Sequence, residues 1–395
     1  MTSHAQTTDV VVIGAGVVGA ATAWTLADKG LSVHVLDRGP VNREGSGSTA
    51  GNLHIQAVHS ERPGQQVPVD VARLLPLQRA ASDIWAVVED RLQVDIGLRR
   101  TGGLTVAETD AEVALLWAKR DVEAEHGIPT EVLDGSRLRS FAPGISPDIP
   151  AATWCPWDGY ANPLAVTPAF LGAAVRRGAR VDAFRPVTAV ERQRRGWLVH
   201  TASGQLSTPL VINAAGPELP EIARMAGVRV AAQPAHLQMH ITTRVRPTLP
   251  YLIQHIGQGL SVKQVSTGQI LIGGGWPASD RLTPEGRHRA SMSSIAGNLS
   301  LACRIIPALA DLELLRVWTG PVLATADEMP VIGEIPDRAG LFVCGGTYAF
   351  TLAPLWAQVL SCMVLRQPTP VPVEDLGPER LMDYSPGQAR AVAES

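Results

Sequence analysis

The hydrophobic positions along this chain change period repeatedly, and each change predicts an element. Val10-Val-Val-Ile13 is a short β-branched run behind a polar lead-in, the pattern of a strand buried on both faces. Residues 17–27 are apolar and alanine-rich and predict a helix, and residues 31–36 predict the next strand. Residues 71–92 and 108–126 space their apolar positions by three and four, which predicts two more helices. Between them, residues 98–107 read as a strand pair broken at Gly102-Gly103. Pro143, Pro147, Pro150 and Pro156 then punctuate a long irregular connection. A helix at 168–177 precedes strands at 187–192, 197–201 and 207–213, the last two joined by a hairpin at Ser203-Gly204.

The middle of the chain is strand-rich, at 235–243, 251–256, 260–265 and 269–273. Within 235–243 apolar and polar residues alternate, so His236, Gln238, His240 and Thr242 share one face. That polar face either lines a cavity or meets solvent. His236 and His240 are four apart on a strand rather than on a helix, with no third ligand, so no metal site is expected. A helix at 291–303 follows, then Arg316-Val-Trp-Thr-Gly320, a strand at 341–344 and an apolar helix ending near residue 365. No repeat or low-complexity tract appears. The tail from Gln367 is proline-rich and then polar, and partial order is expected there.

The chemistry starts at the end of the first strand. Gly14, Gly16 and Gly19 stand in G-x-G-x-x-G spacing between that strand and the first helix, and Asp37 closes the second strand. The first glycine permits a tight turn, the second lets backbone approach a pyrophosphate, and the third lets helix and strand pack closely. The helix N-terminus adds free N–H groups and a partial positive charge, and the acid accepts from ribose hydroxyls. Strand, helix and acid in register predict a dinucleotide-binding unit, while leaving open which dinucleotide. Residues 43–56 follow, a run of small and hydroxyl residues with Leu53 and Ile55 embedded in it. Such a stretch suits a buried loop offering N–H and hydroxyl donors to a flat polar ligand better than it suits a surface linker. Near the other end, the strand at 341–344 runs into Gly345-Gly346 and opens a helix, a second N-terminus aimed at a ligand.

Composition narrows the class. The 395 residues are 45% hydrophobic, enough for a large core and two domains. With 34 basic and 37 acidic residues the net charge is −3, which excludes a nucleic-acid footprint. The chain is 18% charged with 30 prolines and 37 glycines, as in a turn-rich α/β enzyme. Cys155, Cys303, Cys344 and Cys362 lie far apart without a C-x-x-C pair, which fits a reduced, cytoplasmic setting. The apolar run at 10–27 is interrupted by three glycines, so neither a signal peptide nor a membrane span is expected.

These motifs together resemble the FAD-dependent amine and amino-acid oxidoreductases of the D-amino-acid oxidase superfamily. The branch is similar to glycine oxidase, the β subunits of sarcosine oxidase and opine dehydrogenase, and the flavoprotein subunits of hydrogen cyanide synthase. The likeness runs from Asp9 to near Arg366. It rests on Ile13 to Gly19 with Asp37; Ser46 to Leu53; Leu210-Val-Ile-Asn-Ala-Ala-Gly216; and Trp318-Thr-Gly, Asp327, Pro330 and Gly333 followed by Gly345 to Pro354. A lone NAD-binding unit would not need the second and fourth motifs, so the resemblance implies FAD.

The resemblance implies an α/β protein with an α+β substrate domain. A discontinuous Rossmann-like FAD-binding domain would hold residues 1–62, 157–233 and 316–395, and a sheet-based substrate domain residues 63–156 and 234–315. Gly14, Gly16, Val17, Val18 and Gly19 would hold the pyrophosphate, and Asp37 with Arg38 the adenosine end. Ser46, Ser48, Thr49, Gly51, Asn52 and Leu53 would contact pyrophosphate and the isoalloxazine edge, Val187 the adenine, and Ala215 and Gly216 the neighbouring phosphate region. Gly346, Thr347, Ala349, Phe350 and Thr351 would face the flavin N1/C2=O locus. Candidate catalytic and cavity residues are His54, His240, Lys263 and Tyr348.

Three departures from the family pattern stand out. Tyr348 lies where a histidine is common. No cysteine is near Trp318, which implies non-covalent FAD. Val322 occupies the position of the arginine that often clamps the substrate carboxylate. The implied reaction is oxidation of the CH–NH bond of an amino acid or secondary amine (an opine, an N-alkyl or a cyclic amino acid) by hydride transfer to flavin N5, giving an imine that hydrolyses. One alternative is the catalytic β-type subunit of a hetero-oligomer, relaying electrons to FMN or an iron–sulfur cluster on partner subunits. The other is a non-catalytic FAD-binding subunit.

Overall fold

The computed structural model describes residues 5–58 and 71–382. One six-stranded sheet runs in the order Val331–Glu334, Leu341–Gly345, Leu210–Asn213, β1 (Val10–Ile13), Val33–Leu36 and Arg180–Asp182. All neighbours in it are parallel except the first pair. β1 is sealed on both faces, with Val10, Val11 and Val12 inaccessible, as its unbroken β-branched run requires. On one face lies α1 (Val17–Asp28), wedged between the Pro163–Arg176 helix and the last long helix, residues 349–364. Alanines at 20, 21 and 23 are buried in that wedge and let the three helices approach closely.

An eight-stranded mixed sheet is the second layer, in the order 314–325, 232–244, 269–273, 261–264, 252–255, 103–107, 151–155 and 131–134. Its core is separate: Leu104, Val106, Val262, Ile270 and Ile272 pack with Leu301, Ala302 and Ile305. Each such fully buried aliphatic side chain contributes roughly 1.5–3 kcal/mol. The 314–325 strand, expected with the nucleotide-binding segments, is hydrogen-bonded over its length to the 232–244 strand of this sheet.

Several elements differ from the periodicity. The helix expected over 71–92 is two, Val71–Trp85 and Val88–Leu92. The connection expected to be irregular contains the Gly135–Phe141 helix and the Ala151–Cys155 strand, because pairing with Gly103–Ala107 overrides the proline-rich local signal. The helix expected from 168 starts at Pro163, capped by the Asn162 side chain with proline in the first turn. Among the described residues no helix is long and apolar enough to cross a membrane. The last part of the tail, 383–395, lies outside the described residues.

Candidate functional site

The nucleotide half of the site assembles at the carboxyl end of β1. Gly14 sits at φ +105°, and a Cβ there would stand 2.5 Å from the Ala214 carbonyl oxygen, so the turn admits only glycine. Gly16 caps α1, and a Cβ on it would stand 3.0 Å from Ser46 Oγ. Val17, Val18 and Gly19 form the first turn, and the Val17 N–H donates to Ser46 Oγ at 2.9 Å. Asp37 is tied into the same turn: its carboxylate accepts from Ala15 N–H at 2.8 Å and from Gly39 N–H at 2.9 Å. Arg38 pairs with Glu218 at 2.6 Å, which brings it beside the turn entered through Ala215 and Gly216. The Asp37 carbonyl accepts from Arg185 N–H at 2.7 Å, carrying the strand that opens at Val187 to the same end of the sheet.

The loop after the second strand reaches across to the other sheet. It contains a single helical turn, α2 (Gly45–Ser48), followed by Thr49 and by Gly51 at φ +73°. Asn52 Nδ2 donates to Ser261 Oγ at 2.6 Å, while its Oδ1 accepts from Lys263 Nζ at 2.7 Å. Lys263 also donates to the Ala50 carbonyl, and its ammonium lies 4.5 Å from the Tyr160 ring centroid. The Thr351 hydroxyl accepts from His54 N–H at 3.3 Å and donates to the Asn52 carbonyl at 3.2 Å. Leu53 is fully buried. Gly346, at φ +103°, and Thr347 lead into Tyr348, which caps the last long helix in the left-handed region at φ +57°. That helix begins with Ala349 and Phe350, and Phe350 stacks on Trp85 at 5.9 Å. The rings of His54 and Tyr348 meet edge to face at 6.3 Å.

Burial controls the ionisation of this region. It pulls His54 down to about 4, helped by the Lys263 charge, so the imidazole is neutral at pH 7, and its Nδ1 is buried without a partner among the described residues. Burial lowers Lys263 well below its ordinary value and raises the Tyr348 phenol, which the Val58 backbone also hydrogen-bonds.

The polar face of the 232–244 strand, expected to line a cavity or meet solvent, is buried from Gln238 onward, while His236 at its start is half-buried and stacks on His288 at 3.6 Å. We call this strand β2 (Ala232–Arg244); it pairs antiparallel with β3 (Leu314–Thr325). Gln238, His240 and Thr242 are buried on the face covered by α3 (Met292–Ile305). Gln238 reaches the N-cap of that helix, where the Ser291 N–H donates to its Oε1 at 2.9 Å. His240 hydrogen-bonds Asn298 and the Ile272 carbonyl. His240 is therefore corrected from cavity residue to a link between sheet and helix. The opposite face meets the loop: Trp318 Nε1 donates to the Ser48 carbonyl at 2.8 Å, and a Cβ on Gly320 would strike Ser48.

A buried polar network not singled out from sequence holds the loop from behind. Asp158 accepts from the N–H groups of Ile55 and Gln56 at 2.8 and 3.0 Å and from the Gln56 and Gln254 side-chain amides. Burial raises its pKa to about 6. Lys119 and Glu123, one helical turn apart and inaccessible, reach Gln56 Oε1 and the Ala57 N–H. An acid after Trp157 and a lysine on an amphipathic helix carry no local signal of such burial. Among the described residues no cluster of His, Cys, Asp and Glu suits a metal ion.

The chain belongs to the DAO family of FAD-dependent oxidoreductases, whose model matches residues 9–363. It is 27% identical over 362 residues to one of the subunits of the opine oxidase of Rhizobium meliloti, covering 89% of this chain and 92% of that one. It is 25% identical to glycine oxidase of Geobacillus kaustophilus, with 91% and 94% covered. The crystal structure of that organism's glycine oxidase superposes with a TM-score of 0.83 at 22% identity, over 96% of this chain and 100% of that one, a likeness of fold. The residues present fit FAD. The 14–19 turn passes so close to Ala214 and Ser46 that a Cβ on Gly14 or Gly16 would meet them, it opens directly into the first turn of α1, and a buried His54 nitrogen with no partner among the described residues stands beside the second helix N-terminus.

Proposed function

We propose that this enzyme oxidises the CH–NH bond of an amino acid or secondary amine, using non-covalently bound FAD. The observation that carries the reading is the convergence of three elements on one space. Thr351 at the head of the last long helix joins Asn52 and His54, Lys263 joins the loop to the eight-stranded sheet, and Trp318 closes the far side on Ser48. FAD, when bound, accepts a hydride at N5.

The protein's own part is alignment. The 14–19 turn, Asp37 and Arg38 would hold the dinucleotide, and residues 46–53 with 346–351 its ring. His54, neutral at pH 7, offers Nδ1 as an acceptor for the substrate N–H without removing its proton, since a base with a pKa of about 4 is too weak for that. The substrate carbon loses a hydride and the resulting iminium ion keeps its N–H proton; water then adds at that carbon and expels the nitrogen, leaving a carbonyl compound and an ammonium ion. Tyr348 narrows the space beside His54. The buried Lys263 holds Ala50 and Asn52 in place rather than acting as a free ammonium.

A second reading is favoured by the relative that forms part of a multi-subunit opine oxidase. In it, this chain is the catalytic member of a hetero-oligomer and passes electrons to FMN or an iron–sulfur centre on a partner.

The test is anaerobic addition of D- and L-amino acids, N-methyl amino acids, proline derivatives and opines to the purified yellow protein. Bleaching of the flavin band by one class is the expected result. A yellow protein that none of them bleaches overturns the reading. Co-purifying chains with additional cofactor absorbance select the second reading over an enzyme acting alone.

A further inference from the structure

The face of the eight-stranded sheet that meets the 45–53 loop is apolar along its middle. Residues directly opposite in an antiparallel pair share a face, so Trp318, which bonds Ser48, shares its face with Met239, and Arg316 with Ile241. Leu271, opposite Ile241, and Lys263, opposite Leu271, extend the same face to the loop at Asn52. Met239, Ile241, Leu271 and Trp318 are all half-buried. They stand between two loop contacts, Trp318 with Ser48 on one side and Lys263 with Asn52 on the other.

Charge on this face is confined to its ends. Lys263 is committed to two loop acceptors, and Val322, four residues beyond Trp318 on the same strand, adds no charge. Arg316 is exposed and has no hydrogen bond or ion pair among the described residues. It lies two residues from Trp318 along the strand, about 7 Å, at the rim of the apolar strip.

We infer that the substrate is an elongated amine. Its apolar body lies along Met239, Ile241 and Leu271, and an anionic terminus several bonds from the nitrogen is taken by Arg316. This rests on the amine-oxidising reading above and assigns its substrate class. A guanidinium at the rim makes a charge-assisted pair with a carboxylate that a short amino acid, held near the flavin, cannot reach.

The test uses the FAD-loaded protein under anaerobic conditions with three probes: sarcosine, N-methylhexylamine and 6-(methylamino)hexanoate. Binding is read from perturbation of the flavin spectrum, and reduction from bleaching. The expected order of affinity is 6-(methylamino)hexanoate, then N-methylhexylamine, then sarcosine. Arg316→Gln is expected to weaken the first by about tenfold, with the loss confined to that anionic probe. Sarcosine binding as tightly as the longer acid overturns the inference, and so does an Arg316→Gln variant that keeps full affinity for that acid. If the affinities follow the expected order but no probe bleaches the flavin, the elongated anion-ended amine stands as the ligand of this face and the amine-oxidising reading falls.

Discussion

Lys263 Nζ donates to Asn52 Oδ1 at 2.7 Å, joining residues 211 positions apart in the chain. The bond ties the 45–53 loop to the middle of the eight-stranded sheet, and through the Asn52 carbonyl it continues to Thr351 and the last long helix. Replacing Lys263 by Met fills the space but leaves the Ala50 carbonyl and Asn52 Oδ1 without their donor. Thermal and urea unfolding are expected to show a loss of about 1–3 kcal/mol, with faster release of FAD on dilution. Unchanged stability and flavin retention would show that the lysine is not the loop's anchor.

Gly14 and Gly16 differ in what they tolerate. At Gly14 an alanine meets the Ala214 carbonyl and must adopt φ +105°, so Gly14→Ala is expected to give protein without flavin. Gly16→Ala meets only the hydroxyl of Ser46, a group that can turn away, and is expected to retain flavin with weakened affinity. The ratio of flavin absorbance to protein in the two purified variants checks this. Equal ratios would count against the turn as the pyrophosphate cradle.

The pH dependence of stability has a sign at His54. Its folded value of about 4 lies below the ordinary 6.5, so the unfolded chain binds more protons between those values. Stability from this group is fully present above pH 6.5 and is lost as pH falls toward 4. Asp158 acts oppositely: its folded value of about 6 lies above 3.8, so its contribution falls as pH rises through that window. His54→Asn is expected to lose less stability than the parent between pH 6.5 and 4, measured by urea unfolding at stepped pH. Parallel curves for the two proteins would contradict the burial-driven shift.

His240 separates packing from chemistry. It is inaccessible beneath α3, on the far side of the sheet from Trp318. His240→Leu is expected to lower the melting temperature while leaving KM and kcat for any substrate found as they are. A changed KM at undiminished stability would return His240 to the site.

What could be read along the chain was whatever depends on neighbours in sequence. The 14–19 turn, α1 and Asp37 were legible because glycine spacing, strand and helix act within one βαβ unit, and the residues expected to gather there do so. The start of the last helix was legible for the same reason.

Alternation alone determined that Gln238, His240 and Thr242 share a face, but not which neighbour that face would meet. Only the tertiary structure decided that, because α3 and the 45–53 loop lie on opposite sides of one sheet and a strand of period two fits either way round. The same holds for Asp158, Lys119 and Glu123, whose burial comes from segments brought together over 63 to 102 positions. Local pattern sets which side chains lie together on an element. The packing of distant elements sets what they face, and with it which polar groups must find partners inside the protein.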